Sequence, residues 1–114
     1  MSKIKILVYG THPEILETVV RLINKNDAWQ GEGHTEEEQV IELFTQHDYD
    51  LFLLGGGIAT ESEQQVRALF RQQHPDAPIV QHYGGGSGLL KGEIEEALKR
   101  KQAAQLRIND NPFG

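Results

Sequence analysis

Cysteine is absent from all 114 residues, which excludes disulfides, thiolate nucleophiles and cysteine-ligated zinc or iron–sulfur clusters and leaves the redox compartment open. Long apolar runs are lacking too. Ile6-Leu7-Val8-Tyr9 and Leu51-Phe52-Leu53-Leu54 fall far short of the ~20 residues that a membrane-spanning helix requires, so no membrane association is expected. Positive charge is scarce: 11 Lys and Arg against 17 Asp and Glu give a net charge of −6, which argues against nucleic acid or an anionic membrane surface held by bulk charge. The acidity is concentrated in residues 1–57, with ten acids and four bases, while residues 58–114 carry seven of each. Met1-Ser2-Lys3-Ile4-Lys5 leads directly into a strand-like run, without the apolar segment and small-residue cleavage site of a secretory signal, so the chain reads as cytoplasmic.

What is present suffices for one domain. The length falls in the usual range of about 100–200 residues, and 38% hydrophobic content can fill one core. Residues 1–108 are expected to form it, with 109–114 as a loose tail. Residues 3–9 are rich in β-branched side chains and stop at Gly10, which predicts a first strand. From Pro13, the apolar positions Ile15, Leu16, Val19, Val20, Leu22 and Ile23 follow a helical stripe ending near Asn24. Residues 27–34 are short and polar apart from Trp29, the composition of an edge strand. Thr35 with Glu38, and Thr60 with Glu63, have the spacing of capping boxes that would start the second and third helices. Val40, Ile41, Leu43 and Phe44 give the second helix its buried face, and Val66, Leu69 and Phe70 the third. Between them, residues 49–54 are apolar on both faces, as expected of a central strand covered on both sides. Residues 78–83 predict a fourth strand. The glycine-rich run at residues 84–88 follows, then a short strand-like Leu89-Leu90 and a last helix from Glu93 to about Gln105, with Ile94, Ala97 and Leu98 inward.

Strands alternating with helices imply right-handed crossovers, a parallel sheet and a three-layer α/β/α domain. In such sheets ligands gather at the carboxyl ends of the strands, which directs attention to residues 10–12, 55–58 and 83–88. Leu7, Leu53 and Val80 are expected to be nearly inaccessible.

The element order, together with residues 6–16 (ILVYGTHPEIL) and Tyr49-Asp50-Leu51-Phe52-Leu53-Leu54, resembles the receiver domains of two-component response regulators over about residues 3–101. The resemblance implies a flavodoxin-like sheet in the order 2-1-3-4-5. It also implies a metal-binding acid pair after strand 1, a phospho-accepting aspartate after strand 3, a Ser or Thr after strand 4 and a Lys after strand 5. Matched by context, these fall on Gly10 and Thr11, on Gly55, on Tyr83 or Gly84, and on Lys91. Only the lysine is retained. Phosphoryl transfer to a receiver needs a carboxylate nucleophile and oxygen-ligated magnesium, and glycine supplies neither. The fourth helix of the family is replaced by the glycine-rich loop. The resemblance therefore implies a degenerate receiver, a non-enzymatic signalling or interaction module with no cofactor.

Other chemistry has a plainer explanation at each position. Gly56, Gly57, Gly85, Gly86 and Ser87 could present backbone amides to a small anion or phosphorylated metabolite, with Lys91 as a nearby cation. Their spacing matches no phosphate-binding fingerprint, and tight turning explains the glycines more simply. His12 and His82 lie near strand ends, but no third ligand accompanies them and no metal is implied. Ser87 with His82 would need a rigid setting that a glycine-rich loop does not give. A sheet without its fourth helix leaves strand 4 partly uncovered, so a protein partner, a homodimer in the simplest case, is expected there.

Overall fold

A computed structural model describes residues 3–83 and 87–109. Four strands, β1 (Ile4–Tyr9), β2 (Trp29–His34), β3 (Leu51–Leu54) and β4 (Ile79–Gln81), alternate with helices α1 (Pro13–Asn24), α2 (Glu37–Gln46), α3 (Thr60–Gln73) and α4 (Ser87–Asn109). All pairings are parallel and the sheet order is β2-β1-β3-β4. Leu7 sits opposite Phe52, and Leu53 opposite Val80.

Because side chains alternate along a strand, the sheet sorts its apolar residues into two layers. Ile6, Val8, Leu51 and Leu53 face α1 and α4, whose Val19, Ile23, Leu90, Ile94 and Ala97 close over them. Leu7, Tyr9, Phe52 and Leu54 face α2 and α3, where Val40, Phe44, Val66 and Phe70 complete a second core. Phe44 lies edge-on to Phe52 and Phe70 at centroid distances of 5.8 and 5.4 Å, a favoured aromatic geometry. His74 closes that layer, stacking on Phe70 at 4.8 Å with Nε2 2.6 Å from the Phe44 carbonyl oxygen.

Two glycines let α1 lie close to β2. A Cβ on Gly31 would come within 2.7 Å of Ile23 Cγ2, and one on Gly33 within 2.8 Å of Leu16 Cδ1 and 3.0 Å of the Val8 carbonyl oxygen. The outer edge of β2 is closed by Asn24, whose side-chain amide donates to the Gly31 carbonyl at 3.2 Å while its oxygen accepts from the Gly31 N–H at 2.7 Å.

Several expectations are corrected. Leu89-Leu90 is not a fifth strand: both residues belong to α4, and the sheet has four strands. The reason is periodic. Leu90, Ile94 and Ala97 share one helical stripe and are all buried, so the pattern of the last helix begins before Glu93. Handedness then identifies on which face α4 lies. Right-handed crossovers put α2 and α3 on one face as the chain steps from β2 to β3 to β4, and a helix leading to a further strand beyond β4 would join them. α4 lies instead with α1, so it closes the sheet rather than crossing to another strand. Among the described residues neither a crossover helix on that face nor a fifth strand follows β4.

The capping boxes are not formed: Glu36 and Ala59 precede α2 and α3, with no side-chain cap at either end. Val80 is half-buried rather than inaccessible, because β4 is the sheet's edge, whereas Leu7 and Leu53 are fully buried.

Candidate functional site at the carboxyl ends of the strands

The backbone ladder continues past β1, β3 and β4: Gly55 N–H donates to the Tyr9 carbonyl at 2.8 Å and His82 N–H to the Leu54 carbonyl at 2.8 Å. The alternation of side chains therefore continues with it. Gly10 follows Ile6 and Val8, Gly55 follows Leu51 and Leu53, and His82 follows Val80, all on the α1/α4 face. At this level two of the three adjacent strands offer no side chain. A cavity of about 310 Å³ results, floored by Gly10 and Gly55 and walled by Val8, Leu53, Ile15, Leu16 and Val19, with His12, His82 and Tyr83 at its polar and outer limits.

Gly10 and Gly55 are neighbours across the β1–β3 ladder, where a Cβ on Gly55 would lie 3.6 Å from Gly10 Cα. Thr11 Oγ1 donates to the Gly57 carbonyl at 3.2 Å and so ties the β1 and β3 loops together. Gly57 has φ of +81°, a conformation that disfavours any side chain. Tyr83 and Ile15 are strongly exposed at the mouth. No carboxylate lines the cavity among the described residues.

His82 is 5% exposed and, tyrosines and tryptophan apart, is the one buried polar side chain among the described residues. Its Nδ1 lies 2.5 Å from Glu93 Oε1 of α4. A carboxylate can only accept, so Nδ1 carries the proton and donates it, which fixes the ring and leaves Nε2 without a protein partner among the described residues.

The structure brings together Gly10, Thr11, Gly55, Gly56, Gly57 and Tyr83, but not Lys91. Lys91 lies in the first turns of α4 and lines a separate groove with Leu22, Ile23, Lys25, Asn26 and Trp29. Its match to a lysine after a fifth strand fails with that strand. Gly84, Gly85 and Gly86 lie outside the described residues, as does the side chain of Ser87, and with Lys91 elsewhere no Lys or Arg lines the cavity among the described residues. Spacing alone does not reveal the His82–Glu93 pair. Its signal is that Glu93 falls on the inward stripe of α4, three residues after Leu90 and four before Ala97, where a carboxylate calls for a partner.

A second polar pair lies at the opposite edge of the sheet. Tyr49 Oη donates to Glu32 Oε1 at 2.5 Å, and burial, followed by that hydrogen bond and the Glu32 charge, pushes the phenol well above its ordinary pKa.

No protein-family model matches the chain. No curated protein matches it in sequence. Solved structures do match in fold. The signal receiver domain of an HD domain-containing protein from Pseudomonas fluorescens Pf-5 superposes with a TM-score of 0.71 at 14% identity, over 94% of this chain and 95% of that one. A sensor protein from Polaromonas sp. JS666 gives 0.71 at 15% identity, over 85% and 97%. A chain from the complex of the histidine kinase ThkA with the response regulator TrrA gives 0.63 at 21% identity, over 89% and 98%. The fold is that of receiver domains, in a four-stranded form.

Proposed function

We propose that this chain is a receiver-fold protein interaction module that carries no phosphoryl group. The observation behind this reading is the pair Gly10 and Gly55, neighbours at the ends of β1 and β3 where a receiver would place its acids. The magnesium that the receiver fold implies does not fit this wall of glycine, valine and leucine, which offers no hard carboxylate oxygen. With no acceptor or metal-binding carboxylate at this site among the described residues, the module is read as non-enzymatic and driven by contact.

The contact surface is the β4 edge. Parallel pairing uses alternate residues, and Pro78 and His82 bond towards β3, so the backbone groups of Ile79 and Gln81 face outward. Beside them, Leu89 is strongly exposed at the start of α4, next to a shallow groove formed with Ile79 and Val80. An open edge flanked by apolar side chains favours pairing, and a second copy using the same patch is the simplest partner. Light scattering at high micromolar concentration should show a dimer that Leu89→Glu abolishes while leaving the thermal melt unchanged. A monomer of unaltered mass at all concentrations, with or without the substitution, refutes the homodimer.

A further inference from the structure

The cavity between α1 and the end of β4 is more specific than an interaction module needs. Its size sits at the lower end of ligand sites, roughly 300–1,000 Å³, so an occupant would be small. Its walls are aliphatic, which suits an apolar body. Its buried polar residue, His82, is held by Glu93 through Nδ1, leaving the other ring nitrogen for an occupant. α1 begins at the same cavity: its first helical hydrogen bond runs from Leu16 N–H to the His12 carbonyl, so the amides of Glu14 and Ile15 precede the ladder. No side chain caps them. The positive end of the helix therefore lies at the rim, where it favours negative charge. Glu14 is exposed and does not line the cavity.

We propose that this cavity binds a small monocarboxylic acid with a compact apolar body, of the size of benzoate or a short branched-chain acid. The body packs against Ile15, Leu16 and Val19, and the carboxyl group shares a proton with His82 Nε2. The ring then lies between two carboxylates, that of Glu93 and that of the ligand, and carries a proton on each nitrogen. Phosphorylated ligands are disfavoured by the same walls, which among the described residues provide the imidazoles of His12 and His82 and no Lys or Arg. The assignment is independent of what docks on the β4 edge.

Benzoate and toluene, titrated separately into the full chain and followed by amide and imidazole nitrogen resonances, test it. Benzoate should saturate in the millimolar range or below, shifting Gly10, Thr11, Gly55, Gly56 and the His82 ring, and toluene should perturb the same amides more weakly. His82→Phe should weaken benzoate at least tenfold and leave toluene binding intact. Should that variant not fold, Glu93→Gln keeps the imidazole and removes the charge behind it, and should weaken benzoate but not toluene. The proposal is overturned by any of three results: no saturable benzoate shifts at the cavity, shifts centred on Lys25 and Lys91 instead, or benzoate affinity unchanged in the folded variants.

Discussion

Replacing Gly33 by alanine measures how closely α1 is seated on β2. The added Cβ would lie 3.0 Å from the Val8 carbonyl oxygen, 2.8 Å from Leu16 Cδ1 and 3.1 Å from Val20 Cγ2. A leucine methyl can rotate away, but a carbonyl held in the β1–β2 ladder cannot, so either the strands separate or α1 lifts. Overpacking of this kind costs about 1–3 kcal/mol. Alanine also restricts the unfolded chain, worth about 0.4–1 kcal/mol wherever φ is not positive, as at Gly33. Gly56→Ala supplies the control, because a Cβ there meets nothing within 4 Å and φ is again not positive. The unfolded-state gain is common to both variants, so their difference isolates the steric cost of about 1–3 kcal/mol. For a chain of this length 1 kcal/mol corresponds to about 4 °C in Tm. Gly56→Ala should melt slightly above the parent protein and Gly33→Ala below it, about 4–12 °C apart. Thermal melts with matching urea titrations decide the matter, and equal stability of the two variants would refute the close seating of α1.

Three further outcomes are expected. Leu7→Ala and Leu53→Ala should each lose about 2–5 kcal/mol in urea unfolding, whereas Val80→Ala on the half-buried edge should lose markedly less. Acetyl phosphate with magnesium should add no phosphoryl mass to the protein, nor appreciably to Gly55→Asp, since a Cβ at Gly55 is sterically tolerated but the cavity still offers no further carboxylate for the metal; efficient labelling of that variant would show that other acids reach the site. The raised Tyr49 phenol keeps its proton in the folded state after the unfolded chain has lost it, so its contribution is fully present below about pH 10 and declines above it by at most about 1.4 kcal/mol per pH unit; Tyr49→Phe should flatten that decline in pH-dependent unfolding, and an unchanged slope would assign it to the lysines.

The sequence patterns carried much of the fold because they are periodic. The doubly apolar residues 51–54, the stripe of α1 and the edge composition of β2 each report a burial pattern set by the surrounding layers. Two patterns overlap at the chain end: Leu89-Leu90 is short enough to suit a strand, and only extending the stripe from Ile94 and Ala97 back to Leu90 reveals the helix. Thr35 and Thr60 had the right spacing for caps, but a cap requires a particular backbone entry angle that residue identity does not specify. The cavity was harder still. Gly10 and Gly55 read as turn glycines, and their convergence depends on the register of β1 with β3, a long-range property.

That register links the missing chemistry to the cavity. Gly10 and Gly55 are the next steps of two inward rows, Ile6 and Val8 on one strand and Leu51 and Leu53 on its neighbour. Below them every position is filled and inaccessible or nearly so. At the glycine level the rows end without side chains, and the third strand contributes His82 instead of an aliphatic residue. Acids in place of the two glycines would point charge into the space that is now apolar, where each would need metal or a cation to offset its desolvation. Glycine removes both the charge and the bulk. The result is a recess roofed by α1, with one imidazole held at its side by a carboxylate from α4. Because α4 lies on the α1 face and does not cross to another strand, that carboxylate can reach β4 at all. The direct passage from β4 into α4 and the two glycines thus act on the same end of the sheet, the first bringing Glu93 to His82 and the second opening the space beside them.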